Sequence, residues 1–256
     1  MSPATVAIVV AVISAVIALT SAIGVEVLRR RANRELEVVK HELAEQRAAN
    51  DRRAQTAELV RAYRNPLLRA AYDLQSRIWN MHGGFRGRGD TEHDYFVTNT
   101  LYVIAEFFGW LEIVRRELQF LDLADEQETG ALKAELDRIQ GTFASTSRRR
   151  RDDFYVYRGQ QRAIGELMIV ELAEPRPTGV RSTCLGYAAF VDRLDSPAFV
   201  RWLARPRDRI ADLTGPDLAR LVEVQHALID LIDRLDPDRV RFASNRDKIA
   251  TVRDAV

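Results

Sequence analysis

Between Arg148 and Glu166 the chain reads RRRRDDFYVYRGQQRAIGE, the stretch richest in side chains suited to anion recognition. Four consecutive arginines, Arg148, Arg149, Arg150 and Arg151, precede Arg158 and Arg162, which sit one helical turn apart with Gln161 beside them. Tyr155 and Tyr157 lie between the two groups. Guanidinium forks next to aromatic faces suit a phosphate group or an acidic partner, so these arginines and Gln161 form the candidate ligand- or anion-binding set. The same residues also fit a plainer account. A helix C-terminus favours positive charge, Asp152 and Asp153 neutralise part of it, and Arg162 with Glu166 makes an ordinary i,i+4 pair.

Other chemistry-bearing spacings are weaker. Glu223 and His226 form an E-x-x-H on a helix, the spacing used by carboxylate-bridged di-metal bundles, but such a site needs a second copy of the motif and further carboxylates. The apolar arc of that helix, Leu218, Leu221, Leu228, Ile232 and Leu235, leaves Glu223 and His226 on the solvent side and turns Gln225 inward. Gln225 therefore reads as a structural polar contact, since a buried amide must find partners. His82 and His93-Asp94 resemble part of the H...HD...D ligand set of helical metal-dependent phosphohydrolases. Their gap is too short for it, and they flank a glycine loop rather than lying on facing helices. That loop, GGFRGRGDTEH, lacks the GK[ST] of a Walker A and does not follow a strand. The sequence implies no cofactor and no metal. No Ser-His-Asp, Cys-His or paired-carboxylate arrangement stands out in the linear order, which weighs against an enzyme without deciding it.

The elements that must carry these residues begin with an apolar run, Ala4 to Val25, with no charged side chain before Glu26. At 1.5 Å rise per residue such a run spans about 30 Å, one bilayer core. It lacks the basic n-region and short apolar core of a cleaved signal peptide, so a transmembrane helix over 4–25 is predicted. Arg29, Arg30, Arg31 and Arg34 follow it with no counterpart on the other side, which places the N-terminus outside and the C-terminal body in the cytoplasm of a single-pass inner-membrane protein.

Residues 26–64 are charged and free of Pro and Gly. Small or apolar residues recur at Ala32, Leu36, Val39, Leu43, Ala57 and Val60 in steps of 3, 4 or their sums, with Gln46, Asn50 and Arg53 on the same seam. This predicts a helical stalk, a weak coiled coil in which a parallel homodimer with Asn50 setting register competes with a solvated single helix. Arg64-Asn65-Pro66 then reads as the start of a new helix and of a helical bundle over 65–235.

Within the bundle, Tyr95 to Leu123 is the most apolar stretch. Glu106, Glu112, Arg115, Arg116 and Glu117 make it costly in lipid, so it is expected to be the central buried helix. The expected core is Leu67, Leu74, Ile78, Leu101, Ile104, Phe108, Leu111, Leu118, Leu221, Leu228 and Ile232. Further helices are expected over 124–147, 160–172 and 183–194, then from Pro197 with an interruption at Pro206, and up to Leu235. The segment FYVY, 154–157, is β-prone but without a partner strand. A polar tail, 236–256, is expected to dock through Val240 and Phe242.

The fold class is therefore all-α. Lys+Arg number 38 against 37 for Asp+Glu, a net charge of +1, which implies no global polyanion-binding field and argues against nucleic acid as a partner. Cys184 is the only cysteine, so no intramolecular disulfide forms. Two functions remain open: a membrane-tethered cytoplasmic interaction or scaffold module that captures a cytoplasmic protein, which is favoured, and a membrane-anchored sensor or hydrolase of a phosphate-bearing ligand built on the arginine-rich segment.

Overall fold

The computed structural model describes residues 3–87, 89–120, 126–146, 154–174, 180–213 and 218–250. Within these, the side chains of 3–28, 30–32, 35, 52–53, 55–60, 118–120 and 126–129 are not described. The described residues are mostly helical, with one small two-stranded sheet, as expected of an all-α chain. Contacts divide the chain into Met1–Gln55 and Thr56–Val256.

The first unit is the N-terminal part of α1, Pro3–His82. Ala4 to Val25 lies in this helical backbone, and its side chains fall outside the described residues. From Leu36 to Asp51 every residue is exposed.

The second unit holds the core. The C-terminal part of α1 is followed by α2, Gly89–Phe120, α3, Glu126–Ala144, and α4, Arg158–Met168. Next come β1, Ile169–Glu171, β2, Ser182–Cys184, α5, Tyr187–Arg193, α6, Pro197–Ala211, and α7, Ala219–Leu235. Among the described residues, Gly89–Glu117 is the one helix long and apolar enough to cross a membrane, and 72% of its apolar window is buried inside the fold. Phe96, Leu101, Ile104, Phe107, Phe108 and Leu111 fill the centre, so α2 is the core helix. Every expected core residue is buried, apart from Leu118, which lies outside the described side chains.

Several expected boundaries are corrected. No helix starts at Pro66, because α1 runs through it. A proline inside a helix removes a hydrogen bond and costs about 3 kcal/mol or more. Here Tyr63, Leu67, Leu68, Ala70, Ala71 and Leu74 are buried on both sides of it, and Arg64 donates to the Leu235 carbonyl. Pro206 likewise does not interrupt α6. It sits within the buried stripe Phe199, Leu203, Pro206 and Ile210, so packing outweighs the lost bond.

α2 starts at Gly89, earlier than expected, with Asp90 and Glu92 in its first turn, where carboxylates complement the helix dipole. Gly87 permits the preceding turn. Its φ is +79° and a Cβ there would lie 2.5 Å from the Glu92 backbone.

The sheet is a second correction. Residues 169–171 and 182–184, expected to lie in helices apart from Ser182 in the preceding loop, pair antiparallel with Ile169 opposite Cys184 and Val170 opposite Thr183. Leu172 N–H to Arg181 O at 2.8 Å and Leu185 N–H to Met168 O at 2.7 Å continue the ladder. The β-branched Ile169, Val170 and Thr183 suit the strand conformation that this pairing imposes.

The C-terminal segment is docked. Phe242 stacks on Tyr72 with ring centroids 4.0 Å apart, whereas the Val240 side chain is exposed and packs on nothing, its residue being 80% accessible. Gln75 donates to Asn245 O at 2.9 Å. Gln225 donates to Asp247 O at 2.8 Å and accepts from Ile249 N–H at 3.2 Å, the structural role expected of it. Asp236 accepts from the N–H groups of Val240, Arg241 and Phe242 and pairs with buried Arg246.

Candidate functional site

The segment Phe154–Tyr157 lies in neither helix nor strand, and its side chains alternate: Phe154 and Val156 are buried, while Tyr157 is exposed. Val156 N–H donates to Phe143 O at 3.0 Å, which ties the segment to the end of α3. At the start of α4 the Gln160 side chain accepts from Tyr157 N–H at 3.2 Å.

The packing of α4 on α2 sets where its arginines emerge. Gly165 and Gly109 mark the closest approach. A Cβ at Gly165 would lie 2.6 Å from Phe108 O, and one at Gly109 would lie 2.6 Å from Cys184 Sγ and 2.8 Å from Met168 Cβ. With α4 seated this deeply, Arg158, Arg162 and Glu166 stand at its exposed edge and Gln161 points inward.

Arg158 Nη1 donates to Asp137 Oδ1 at 2.6 Å and Nη2 to Asp137 O at 3.2 Å. The guanidinium also holds the Asp137 carboxyl below the usual carboxylate range, first through this hydrogen bond and then against a small burial effect. Gln161, 1% exposed, donates through Nε2 to Gln140 O at 2.9 Å and Val156 O at 2.8 Å, while its Oε1 is buried without a partner among the described residues. Arg162 Nε lies 4.0 Å from Glu112 Oε2, with its side chain 55% exposed. The three expected site residues are thus neighbours in sequence that turn to three different partners. Arg148 to Arg151 lie outside the described residues.

Sequence reasoning missed the centre of this region. Glu112 is 3% exposed yet charged. Arg115 grips it with Nε at 2.7 Å and Nη2 at 2.6 Å, and Arg116 Nε donates at 3.0 Å. Burial pushes the Glu112 carboxyl up, but the hydrogen bonds from Arg115 and Arg116 outweigh it and hold the group below its ordinary value. Arg116 also reaches Glu166 at 3.8 Å. The i,i+3 and i,i+4 spacing of Glu112 with Arg115 and Arg116 was the available signal. Arg205 of α6 lies over the Tyr155 ring at 4.0 Å and near Tyr157 at 6.0 Å, a contact with no local signature in the sequence.

Beside the cluster a groove of ≈ 580 Å³ runs between α2 and α3, lined by Leu111, Glu112, Val114, Arg115, Lys133, Ala134, Leu136, Asp137 and Gln140. The lining includes the carboxylate partners of Arg158 and Arg162, but neither arginine nor Gln161.

The remaining candidates are placed as follows. His226 is half-buried with Nε2 2.8 Å from Ile249 O, so the C-terminal segment covers a residue expected on the solvent side, while Glu223 stays exposed. His82 and Asp94 are exposed, and His93 Nδ1 lies 3.3 Å from Arg86 O. Among the described residues, His, Cys, Asp and Glu form no group of three or more placed to hold a metal. No family model, no curated protein and no solved structure matches this chain.

Proposed function

We propose that the chain is a single-pass inner-membrane protein whose cytoplasmic helical body is an interaction or scaffold module. The tether and its orientation rest on the apolar run Ala4 to Val25 and the arginines that follow it. The observation that carries the module reading is the exposed guanidinium and aromatic surface around α4. Arg158 and Arg162 are exposed beside Tyr157, and Arg205 is laid over Tyr155. Tyr and Arg are the residue types enriched where proteins meet, and this surface suits an acidic cytoplasmic partner.

The alternative, a sensor or hydrolase of a phosphate-bearing ligand, needs convergent donors in an enclosed cleft. The engagement of Arg158 with Asp137 and of Gln161 with backbone carbonyls supports the first reading over it.

Two measurements test the proposal. Reporter fusions at Val256 should give an active cytoplasmic fluorescent protein and an inactive alkaline phosphatase; the reverse pattern overturns the orientation. Thermal shift with nucleoside triphosphates and inorganic phosphate should leave Tm unchanged. A concentration-dependent rise that is lost in Arg158→Ala would instead establish the ligand reading.

A further inference from the structure

Along α1, Leu36, Val39 and Leu43 are 54%, 52% and 46% exposed. They form one seam, in steps of 3 and 4, and on a lone helix that seam is left in water. We propose that the seam is an interface with a second copy of this chain, running parallel and in register.

The charges beside the seam choose both the occupant and its direction. With Leu36 and Leu43 at heptad position a and Val39 at d, Glu42 falls at g and Arg47 at e. Glu35 and Lys40 take the same two places one heptad earlier. In a parallel two-stranded coil each g residue faces the e residue of the next heptad on the other helix. Glu42 then meets Arg47 of the partner subunit, the register sets positions 35 and 40 in the equivalent places one heptad earlier, and the twofold axis repeats the arrangement. An antiparallel arrangement faces g with g and e with e, setting glutamate against glutamate and base against base.

Asn50 at the next a position is the residue type that fixes parallel register, at a cost in stability. The competing contact of Lys40, with Glu37 at 3.3 Å, is an exposed pair with both side chains more than half in water, so Lys40 is easily redirected. His41 and Glu45, paired at 3.5 Å, lie at f and c, away from the seam.

The apolar part of the seam is short, and Gln46, Asn50 and Arg53 interrupt it. Pairing is therefore weak in free solution and is favoured when the anchor confines two copies to one membrane, which raises their effective concentration. That enhancement rests on the membrane reading above; the charge pairing does not.

The test uses the full chain with Cys184→Ser, carrying Leu43→Cys or His41→Cys, in phosphatidylcholine vesicles and separately in detergent. Under mild oxidation Leu43→Cys should form a disulfide dimer at least about tenfold faster than His41→Cys, since a positions face each other and f positions do not. Equal rates, or no dimer in either medium, overturn the interface. In a mixture of Leu36→Cys and Asn50→Cys chains, preferential cross-linking of 36 to 50 would overturn the parallel direction. Glu42→Arg should slow dimer formation several-fold, and adding Arg47→Glu should restore it; failure of the double variant to recover overturns the charge pairing. Flotation with the vesicles reads the tether independently, so loss of membrane binding and loss of pairing are separately visible.

Discussion

Gly165 of α4 lies so close to Phe108 of α2 that a Cβ on the glycine would sit 2.6 Å from the Phe108 carbonyl oxygen. Backbone, not a flexible side chain, occupies the space, so neither helix can yield cheaply. Gly165→Ala should cost about 2 kcal/mol, as overpacking typically does. Gly130 of α3 has nothing within 4 Å of a built Cβ, and Gly130→Ala should gain up to about 1 kcal/mol through helix propensity. Urea unfolding of the two variants compares them directly. Equal effects would mean that α2 and α4 are not in contact as described.

Phe108 is 1% exposed and packs edge-on against Phe143 with centroids 5.1 Å apart. Phe108→Ala should cost about 3–5 kcal/mol. A loss below about 1 kcal/mol would remove α2 from the centre of the core.

The C-terminal segment depends on the ion pair of Arg246 and Asp236, whose side chains are 1% and 6% exposed. Burial pushes the Asp236 carboxyl up, but the N–H groups of Phe242 and Arg241, the Arg246 guanidinium and the Val240 N–H together hold it below the usual range. A lowered folded-state value stabilises the protein above the unfolded carboxylate value of about 3.9, and this is lost as pH falls through the folded value. Arg246→Met should cost about 3 kcal/mol at pH 7, as breaking a buried pair does, and less once Asp236 is protonated in acid. Denaturation at pH 7 and pH 3 reads the difference.

Glu106 behaves in the opposite sense. Burial and then the charge of Asp73 raise its carboxyl, against a hydrogen bond from Tyr102. The folded state therefore holds the proton more tightly than the unfolded chain. The resulting stability is present in acid and is lost as pH rises from the ordinary value, about 4.3, through the raised one. Glu106→Gln should melt above the parent at pH 7 and converge with it near pH 4. An unchanged difference across that range would show that Glu106 does not titrate in the folded protein in this way.

Neighbouring Cys184 is pushed up to about 12 by burial and then by Glu106, so its thiol should react slowly. Labelling of the folded chain with iodoacetamide at pH 8 should proceed well below the rate of the unfolded chain, which has an ordinary thiol. Comparable rates would mean that Cys184 is not covered by α2.

How far the sequence reached follows from where each signal resides. Helical periodicity is local, so Leu67, Leu74 and Ile78 on α1, Leu101, Ile104 and Phe108 on α2, and Leu221, Leu228 and Ile232 on α7 were legible as buried stripes. The inward turn of Gln225 followed from the same arc, whereas the tether and the heptad pairing of the stalk are proposals that rest on the chain alone. Tertiary structure decided the places where a local preference met a larger opposing term. Pro66 and Pro206 each forfeit a hydrogen bond, yet both helices continue, because buried side chains on either side outweigh that loss. Residues 169–171 and 182–184 became strands because each supplied the other's backbone partners across an intervening loop, a pairing that no spacing announces. At the candidate site the sequence grouped Arg158, Gln161 and Arg162, but side chains that share a helix need not share a target. Only the depth at which Gly165 lets α4 settle on α2 sent Gln161 into the core, gave Arg158 to Asp137, and buried the Glu112 carboxylate that Arg115 and Arg116 hold from the same helix. Such choices depend on which surfaces meet, and they arise only once the chain has folded.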